Sequence, residues 1–310
     1  MDVNIPAYLV FLGSCLLCAV ALFYFSVRKQ SGRALPLALC VLLLGPVLCI
    51  AGAKLLWFVF RFSYVTKQGI LQYLFSLRTE ELSYYGGVAG TVLAVFLAAK
   101  LCGADVRKTL NAFAPAGALI AAAARFAEYF LYPTGTGMYL EQVLPFPLAV
   151  SIVWSEDYTE CVLAVFFFEG VASLAAFVLS LVHKSEPRRL LRTLFYLCLP
   201  QILLESLRAD AINLLFVHAE QLVCYLFVEG VLVWYAFRLG RKQFPSWIPA
   251  IGGLAVCGLI IVLEFMIDGK LLVGGSYVSM WITYPVMAAG LALLAVLEHA
   301  ANRRLYSSSK

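Results

Sequence analysis

Ala121-Ala122-Ala123-Ala124-Arg125-Phe126-Ala127-Glu128-Tyr129-Phe130 places an arginine and a glutamate inside an apolar segment long enough to cross a bilayer. On insertion scales a charge at membrane depth costs about 2.5 to 3.5 kcal/mol, so such a residue faces a cavity or a partner and commonly marks function. At i and i+3, Arg125 and Glu128 share one helix face and are placed to pair. One reading is a structural ion pair that locks two helices together. The other is part of a polar site, and what else gathers at the same depth decides between them.

The rest of the chain supports a membrane setting. It has 310 residues, 63% of them hydrophobic and 13% charged, with a mean hydropathy of +0.89. These values exclude a soluble domain and a disordered chain, and they imply a polytopic membrane protein. Nine cysteines are scattered through apolar segments without CxxC or Cys/His spacing, and His183, His218 and His299 lie far apart. No metal, cofactor or disulfide framework is therefore expected, and no nucleic-acid partner. The N-terminus lacks a basic n-region and a small-residue cleavage site, so the first apolar run reads as a retained membrane helix.

Apolar windows of bilayer length fall at about 6–27, 36–60, 84–100, 109–132, 159–182, 190–208, 212–237, 247–267 and 277–299. That predicts nine helices, the third short and the sixth interrupted at Pro200. The connectors holding Arg28/Lys29/Arg33, Lys100/Arg107/Lys108, Lys184/Arg188/Arg189/Arg192, Arg238/Arg241/Lys242 and Arg303/Arg304/Lys310 all fall on one side and carry 16 of the 23 basic residues. The positive-inside rule then places the N-terminus outside and the C-terminus in the cytoplasm. On the outer side, residues 61–83 read as an interfacial stretch, because Tyr64, Tyr73 and Phe75 suit a headgroup layer. Residues 133–158 carry Pro133, Gly135, Gly137, Pro145 and Pro147 without periodicity, and read as a long functional loop.

This topology assigns the intramembrane polar residues to leaflets. Lys54, Arg125, Glu128, Gln201, Glu205 and Arg208 lie late in outward-running helices. Ser83, Tyr84, Tyr85, His218, Glu220 and Gln221 lie early in inward-running ones. Five helices thus deliver polar groups to the outer half of the membrane, with Glu169 and Glu229 nearer the midplane. Gln201, Glu205 and Arg208 follow i, i+4, i+7 spacing on one predicted helix face. A polar cavity is the economical reading, and Lys54, Arg125 and Arg208 in it suit an anion. Arginine's planar fork matches phosphate or carboxylate in particular. Glu128 and Glu205 either orient these cations or serve as a general base. Gly86-Gly87-Val88-Ala89-Gly90 reads either as a packing face or as amides open to an anion at a helix start.

In order and spacing these segments resemble the prolipoprotein diacylglyceryl transferase family over about residues 1–237. Leu82-Ser83-Tyr84-Tyr85-Gly86-Gly87 resembles the family's Ser-Phe-His-Gly-Gly segment. Asn111-Ala112-Phe113-Ala114-Pro115 resembles Asp-x-x-Ala-Pro, and Ala124–Phe130 is similar to Gly-Arg-x-Gly-Asn-Phe. Glu169-Gly170 stands where the family has Glu-Gly. Glu205-Ser206-Leu207-Arg208 resembles Glu-Phe-Phe-Arg, Glu220-Gln221-Leu222 resembles Gly-Gln-Leu, and Gly52-Ala53-Lys54 resembles Gly-Ala-Arg. The departures are Tyr85 for histidine, Glu128 for asparagine and Gln201 for arginine, and the family's His-Pro-Ser-Gln-Leu-Tyr-Glu segment has no counterpart near Thr159–Val165.

The resemblance implies an all-α, seven-helix transferase domain over 1–237, with 238–310 as an added transmembrane hairpin and cytoplasmic tail. It implies transfer of a diacylglyceryl group from phosphatidylglycerol to the lipobox cysteine of a prolipoprotein signal peptide. The reaction takes place at the outer leaflet of the bacterial plasma membrane and releases glycerol phosphate. On that reading Tyr85, Glu128 and Glu205 are the catalytic candidates. Arg125, Arg208, Lys54, Gly86, Gly87, Gln201 and Gln221 are the substrate-binding ones, with Arg125 as the clearest phosphate ligand. A catalytically inactive lipid-binding or assembly protein on the same scaffold is the alternative. A transporter is a weaker one, because no pair of broken helices occupies corresponding halves.

Overall fold

The computed structural model describes residues 4–28, 32–76, 78, 81–131, 134–155, 158–183, 188–214, 217–240, 244–267 and 279–307. In chain order, α1 (Ile5–Arg28) and α2 (Ala34–Phe60) precede two short helices, α3 (Phe62–Gln68) and α4 (Ile70–Phe75). Next come α5 (Tyr84–Leu101), α6 (Val106–Ala127), β1 (Ala149–Ser155), β2 (Tyr158–Leu163), α7 (Val165–Val182) and α8 (Arg189–Leu204). A two-residue pair, β3 (Asn213–Leu214) and β4 (Val217–His218), leads into α9 (Ala219–Gly240), α10 (Phe244–Ile267) and α11 (Met280–Ser307). Among the described residues nine helices are long and apolar enough to cross a membrane. Large apolar side chains such as Leu43, Val47, Leu17 and Leu55 lie exposed along them. In a bilayer that is the lipid-facing surface, so the chain is a multi-pass, all-α membrane bundle.

The chain divides into two compact units, Met1–Leu197 with Leu207–Ile212, and Cys198–Ser206 with Asn213–Lys310. In the first, α2 and α5 form the most extensive helix pair. Small residues make it possible: a Cβ on Gly90 would collide with the Leu48 carbonyl, and one on Gly52 with the Gly86 carbonyl. The other long contacts are α6 with α7 and α1 with α6. The inward face of α6 is nearly all alanine, with Ala114, Ala116, Ala118, Ala122 and Ala123 buried, so its neighbours approach closely around Arg125. Side chains start both central helices. Ser83 accepts from the Gly86 N–H at 3.3 Å, and Asp105 accepts from the Lys108 N–H at 2.8 Å. In the second unit α9, α10 and α11 pack on one another. There the buried Tyr235 hydroxyl donates to Glu298 at 2.9 Å.

Several expectations need correction. Helix α8 runs unbroken through Pro200, since a membrane helix tolerates proline where neighbours and local adjustment satisfy the freed carbonyl. The windows predicted at 159–182 and 212–237 open too early, because their first residues form β2 and the β3–β4 pair. The long loop is partly an antiparallel hairpin, with Val150 opposite Val162 and Ile152 opposite Glu160. On β1, Val150 and Ile152 are buried while Ser151 and Val153 face out, the period of two that a half-buried strand requires. Tyr73, expected to present its ring to a headgroup layer, turns it into the protein instead. It is buried, stacked on Trp57 with ring centroids 5.3 Å apart, and donates its hydroxyl to the Lys54 carbonyl at 2.6 Å.

Because the α2–α5 seam leaves no room at Gly90, G90V is expected to destabilise the protein by about 1–3 kcal/mol, the usual cost of overpacking. Unfolding by sodium dodecyl sulfate from mixed micelles measures it. A G90V protein as stable as the parent would show that the seam is looser than described.

Candidate functional site

The polar site of the first unit grows out of the end of α6. Arg125 lies in the last turn of that helix and is buried at 2% exposure. The chain then tightens into a 3-10 turn, Glu128–Leu131, that begins with the glutamate. Arg125 Nη1 donates to Glu128 Oε1 at 2.8 Å and lies 3.4 Å from Glu169 Oε2 on α7. The Arg125 guanidinium sits 3.7 Å from the centroid of the Tyr84 ring at the start of α5, a desolvated cation–π contact.

A second guanidinium closes the figure. Arg208 Nη1 donates to Glu169 Oε2 at 2.7 Å and to Glu128 Oε2 at 3.1 Å. Glu128 therefore bridges the two arginines, one oxygen on each, and Glu169 stands behind them. On its far side Arg208 grips Asp210 in a fork, Nε to Oδ1 at 2.9 Å and Nη2 to Oδ2 at 2.8 Å. Asp210 Oδ2 also accepts from the Gly135 N–H at 3.0 Å. Gly135 has φ +76, and a Cβ there would strike Glu128 Oε2, so only glycine fits. The segment is pinned by the Ala209 N–H to the Thr136 carbonyl at 2.9 Å and by a bridge between Gly137 and Arg208.

Accessibility grades the ring. The side chain of Glu169 is 0% exposed, Arg125 3%, Arg208 8% and Glu128 12%. Charges at this depth stand only because each meets opposite charge and hydrogen bonds. Glu128 is the ring member nearest to solvent and the one whose departure would free a donor on both forks. Burial pushes the Asp210 carboxyl up, but the Arg208 charge and the hydrogen bonds from Arg208 and Gly135 outweigh it. The group is held below the ordinary carboxylate range.

The structure brings Arg125, Glu128 and Arg208 together and adds Glu169, Asp210 and Tyr84. Other expected site residues lie elsewhere. Lys54 belongs to a separate cluster, its Nζ donating to the Tyr73 carbonyl at 2.6 Å and lying 3.9 Å from Glu81. Tyr85 is buried and donates its hydroxyl to the Leu197 carbonyl at 3.1 Å. Tyr84, its neighbour, is the residue against Arg125. Gly86 and Gly87 face α2, where a Cβ would crowd Ala53 and Cys49, and the Gly86 amide is used by the Ser83 cap. That placement matches the packing reading of the glycine run.

Arg208 does not continue the helix face of Gln201 and Glu205, because α8 ends at Leu204 and a 3-10 turn, Glu205–Leu207, intervenes. Gln201, Glu205 and Gln221 belong to the second unit. Gln201 Nε2 donates to Glu205 Oε2 at 2.7 Å, and His218 Nδ1 lies 2.8 Å from the Glu205 carbonyl. Gln221 Nε2 donates to the Ile202 carbonyl at 2.8 Å and is hydrogen-bonded to Glu264. Glu229 is also in that unit, its carboxylate against Gly253. Among the described residues no three His, Cys, Asp or Glu side chains form a group that could hold a metal ion.

The fold and this cluster describe a class of protein, a multi-pass membrane bundle with two arginines and two carboxylates paired and buried at a helix end. The sequence model of the prolipoprotein diacylglyceryl transferases matches residues 1–237. The chain therefore belongs to that family, a transferase family of lipoprotein biosynthesis. No curated protein matches the chain.

Two outcomes follow from the ring. E169Q leaves two buried guanidiniums short of charge and is expected to cost about 3–5 kcal/mol in the same dodecyl sulfate titration. E128Q costs less, because that side chain is the least buried of the four; equal losses would contradict the grading. For Asp210, a depressed carboxyl contributes stability that is complete above its ordinary pKa of about 3.9. That stability is lost as the pH falls through the lower folded value. The difference between the parent and D210N should hold from about pH 7 to pH 5 and shrink below about pH 4. A difference that already shrinks between pH 7 and 5 would contradict the assignment.

Proposed function

We propose that the chain is a divergent phosphatidylglycerol–prolipoprotein diacylglyceryl transferase of the bacterial plasma membrane, with its N-terminus outside and its C-terminus in the cytoplasm. Family membership supports the transferase reading, and the basic connectors support the orientation. The observation that carries the phosphate site is the pair of arginine forks facing a shared carboxylate. Residues 1–237 are the transferase domain, and 238–310 an added hairpin and cytoplasmic tail.

In this reading the phosphate of the lipid headgroup takes the donors of Arg125 and Arg208 that Glu128 now holds. The lipobox thiol attacks the diacylglyceryl carbon bonded to the phosphate oxygen. A sulfur–carbon bond forms, the carbon–oxygen bond breaks, and glycerol phosphate leaves with its developing charge held by the arginines. The thiol proton passes to Glu128, the most exposed ring carboxylate, freed as phosphate replaces it. Tyrosine, with an ordinary pKa of about 10, is a poorer base than histidine near neutrality, and Tyr85 is engaged with the Leu197 carbonyl.

The Glu128 bridge also favours a second reading, a non-catalytic lipid-binding or assembly protein, since a carboxylate already fills the place of the anion. Purified protein reconstituted with phosphatidylglycerol and a lipobox peptide distinguishes the two. Mass spectrometry should find the peptide heavier by one diacylglyceryl group, and R125A should abolish the product. No product from the parent, under conditions where an active family member converts the same peptide, would contradict the transferase reading and leave the second.

A further inference from the structure

Two cysteines meet where α2 begins and α5 ends, away from the arginine–carboxylate ring. Cys40 lies near the start of α2, and Cys102 is the residue that caps α5. Their sulfurs are 3.7 Å apart, with the Cys102 thiol donating to the Cys40 sulfur. Both side chains are partly exposed, whereas Cys161, Cys198, Cys224 and Cys257 are buried. The pair packs at the edge of one apolar cluster that contains Leu37, Val41, Val95 and Ala98.

Separate contacts hold the two backbones that carry these sulfurs. Arg33, the residue before α2, donates from Nη1 to the Cys102 carbonyl at 2.7 Å. The Cys102 N–H donates to the Ala98 carbonyl at 3.0 Å and the Ala104 N–H to the Ala99 carbonyl at 2.9 Å. Between them Gly103 makes the left-handed turn, with φ +61. Behind both sulfurs runs the close α2–α5 pair. The thiols are therefore kept together, with a guanidinium beside them. Partly exposed cysteines next to positive charge are the reactive kind, and cysteines buried in apolar surroundings are inert. Burial, and then the Cys40 sulfur, push the Cys102 thiol up, while Arg33 opposes them.

We infer that Cys40 and Cys102 are a modification site, a thiol pair that a low-mass disulfide oxidises reversibly to a bond between α2 and α5. One protein thiolate attacks a sulfur of the small disulfide, whose sulfur–sulfur bond breaks and releases one small thiol. The other protein thiolate attacks the resulting mixed disulfide and releases the second. Two protein thiols are oxidised to one disulfide, the small disulfide is reduced to two thiols, and the two protein protons pass to the departing thiolates. The orientation proposed above puts this end of the pair in the cytoplasm, where thiols are kept reduced and disulfides are characteristically transient or redox-sensing. The dithiol is then the resting form and the disulfide the response to oxidation. The site is separate from the transferase reading, because it uses none of the ring residues and its test needs no substrate.

Peptide mapping tests it. The full-length protein in neutral detergent is incubated with oxidised glutathione at about pH 8, where thiolate is more abundant. Remaining thiols are then alkylated, and the digest is read by mass spectrometry without reduction. A peptide pair joined through Cys40 and Cys102 is expected, lighter by two hydrogens and lost on adding dithiothreitol. It should exceed any other pairing of the nine cysteines by about tenfold, because the two sulfurs are held in contact. C102S should leave Cys40 carrying a glutathione instead. Oxidised parent should also resist dodecyl sulfate unfolding better than reduced parent, a gain that C40S lacks. The peptide link is read in the parent, so the test stands even if a variant folds poorly. Cys40 and Cys102 recovered as free thiols or only as glutathione adducts, or links spread evenly over several pairs, would overturn the inference.

Discussion

A guanidinium buried in an apolar bundle must meet negative charge, and here two guanidiniums share the same two carboxylates. Glu128 and Glu169 each touch both Arg125 and Arg208. Removing a member leaves charge uncompensated at low exposure, most severely at the fully buried Glu169 and least at Glu128. The ring ties the end of α6 to α7 and to the segment that follows α8. It also explains why an otherwise irregular stretch is held in place. Gly135 has to be glycine to clear Glu128, and its amide is fixed by Asp210, which is itself fixed by Arg208.

The same ring limits what the site can do. Arginine forks suit a phosphate only when their donors are available, and Glu128 occupies a donor on each. The resemblance to the family's Gly-Arg-x-Gly-Asn-Phe segment sets Glu128 against an asparagine, so on that reading a charged competitor stands in place of a neutral neighbour. A carboxylate there stabilises the empty site and opposes an incoming anion. In the proposed reaction it also becomes the proton acceptor once displaced. Binding and chemistry are then coupled through a single side chain.

Much of the fold was legible because a bilayer imposes one rule, about twenty apolar residues per crossing, and nine windows of the sequence obey it. Arg125 and Glu128 were legible because a helical spacing of three puts them on one face and because charge inside an apolar run is conspicuous. Glu169 was visible as a charge at depth, but spacing cannot say which helix it will face. Arg208 was expected on the face of Gln201 and Glu205, but the helix ends at Leu204 and its register is lost. Asp210, two residues on, falls between two apolar windows, where an acid carries no signal. The β1–β2 hairpin was hidden because Tyr158–Leu163 runs without a break into the apolar sequence of α7. Lys54 illustrates the converse problem, since a lysine predicted to share the depth of Arg125 is held by the nearby Glu81 and the Tyr73 carbonyl.

The central claim is that Glu128 and a lipid phosphate compete for the same two arginine forks. The most direct measurement is the affinity of purified protein for phosphatidylglycerol in the parent and in E128N, which supplies the asparagine that the resemblance implies at this position. Competition predicts that E128N binds the lipid about tenfold more tightly, the equivalent of about 1.4 kcal/mol. Unchanged or weaker binding by a folded E128N protein would contradict it.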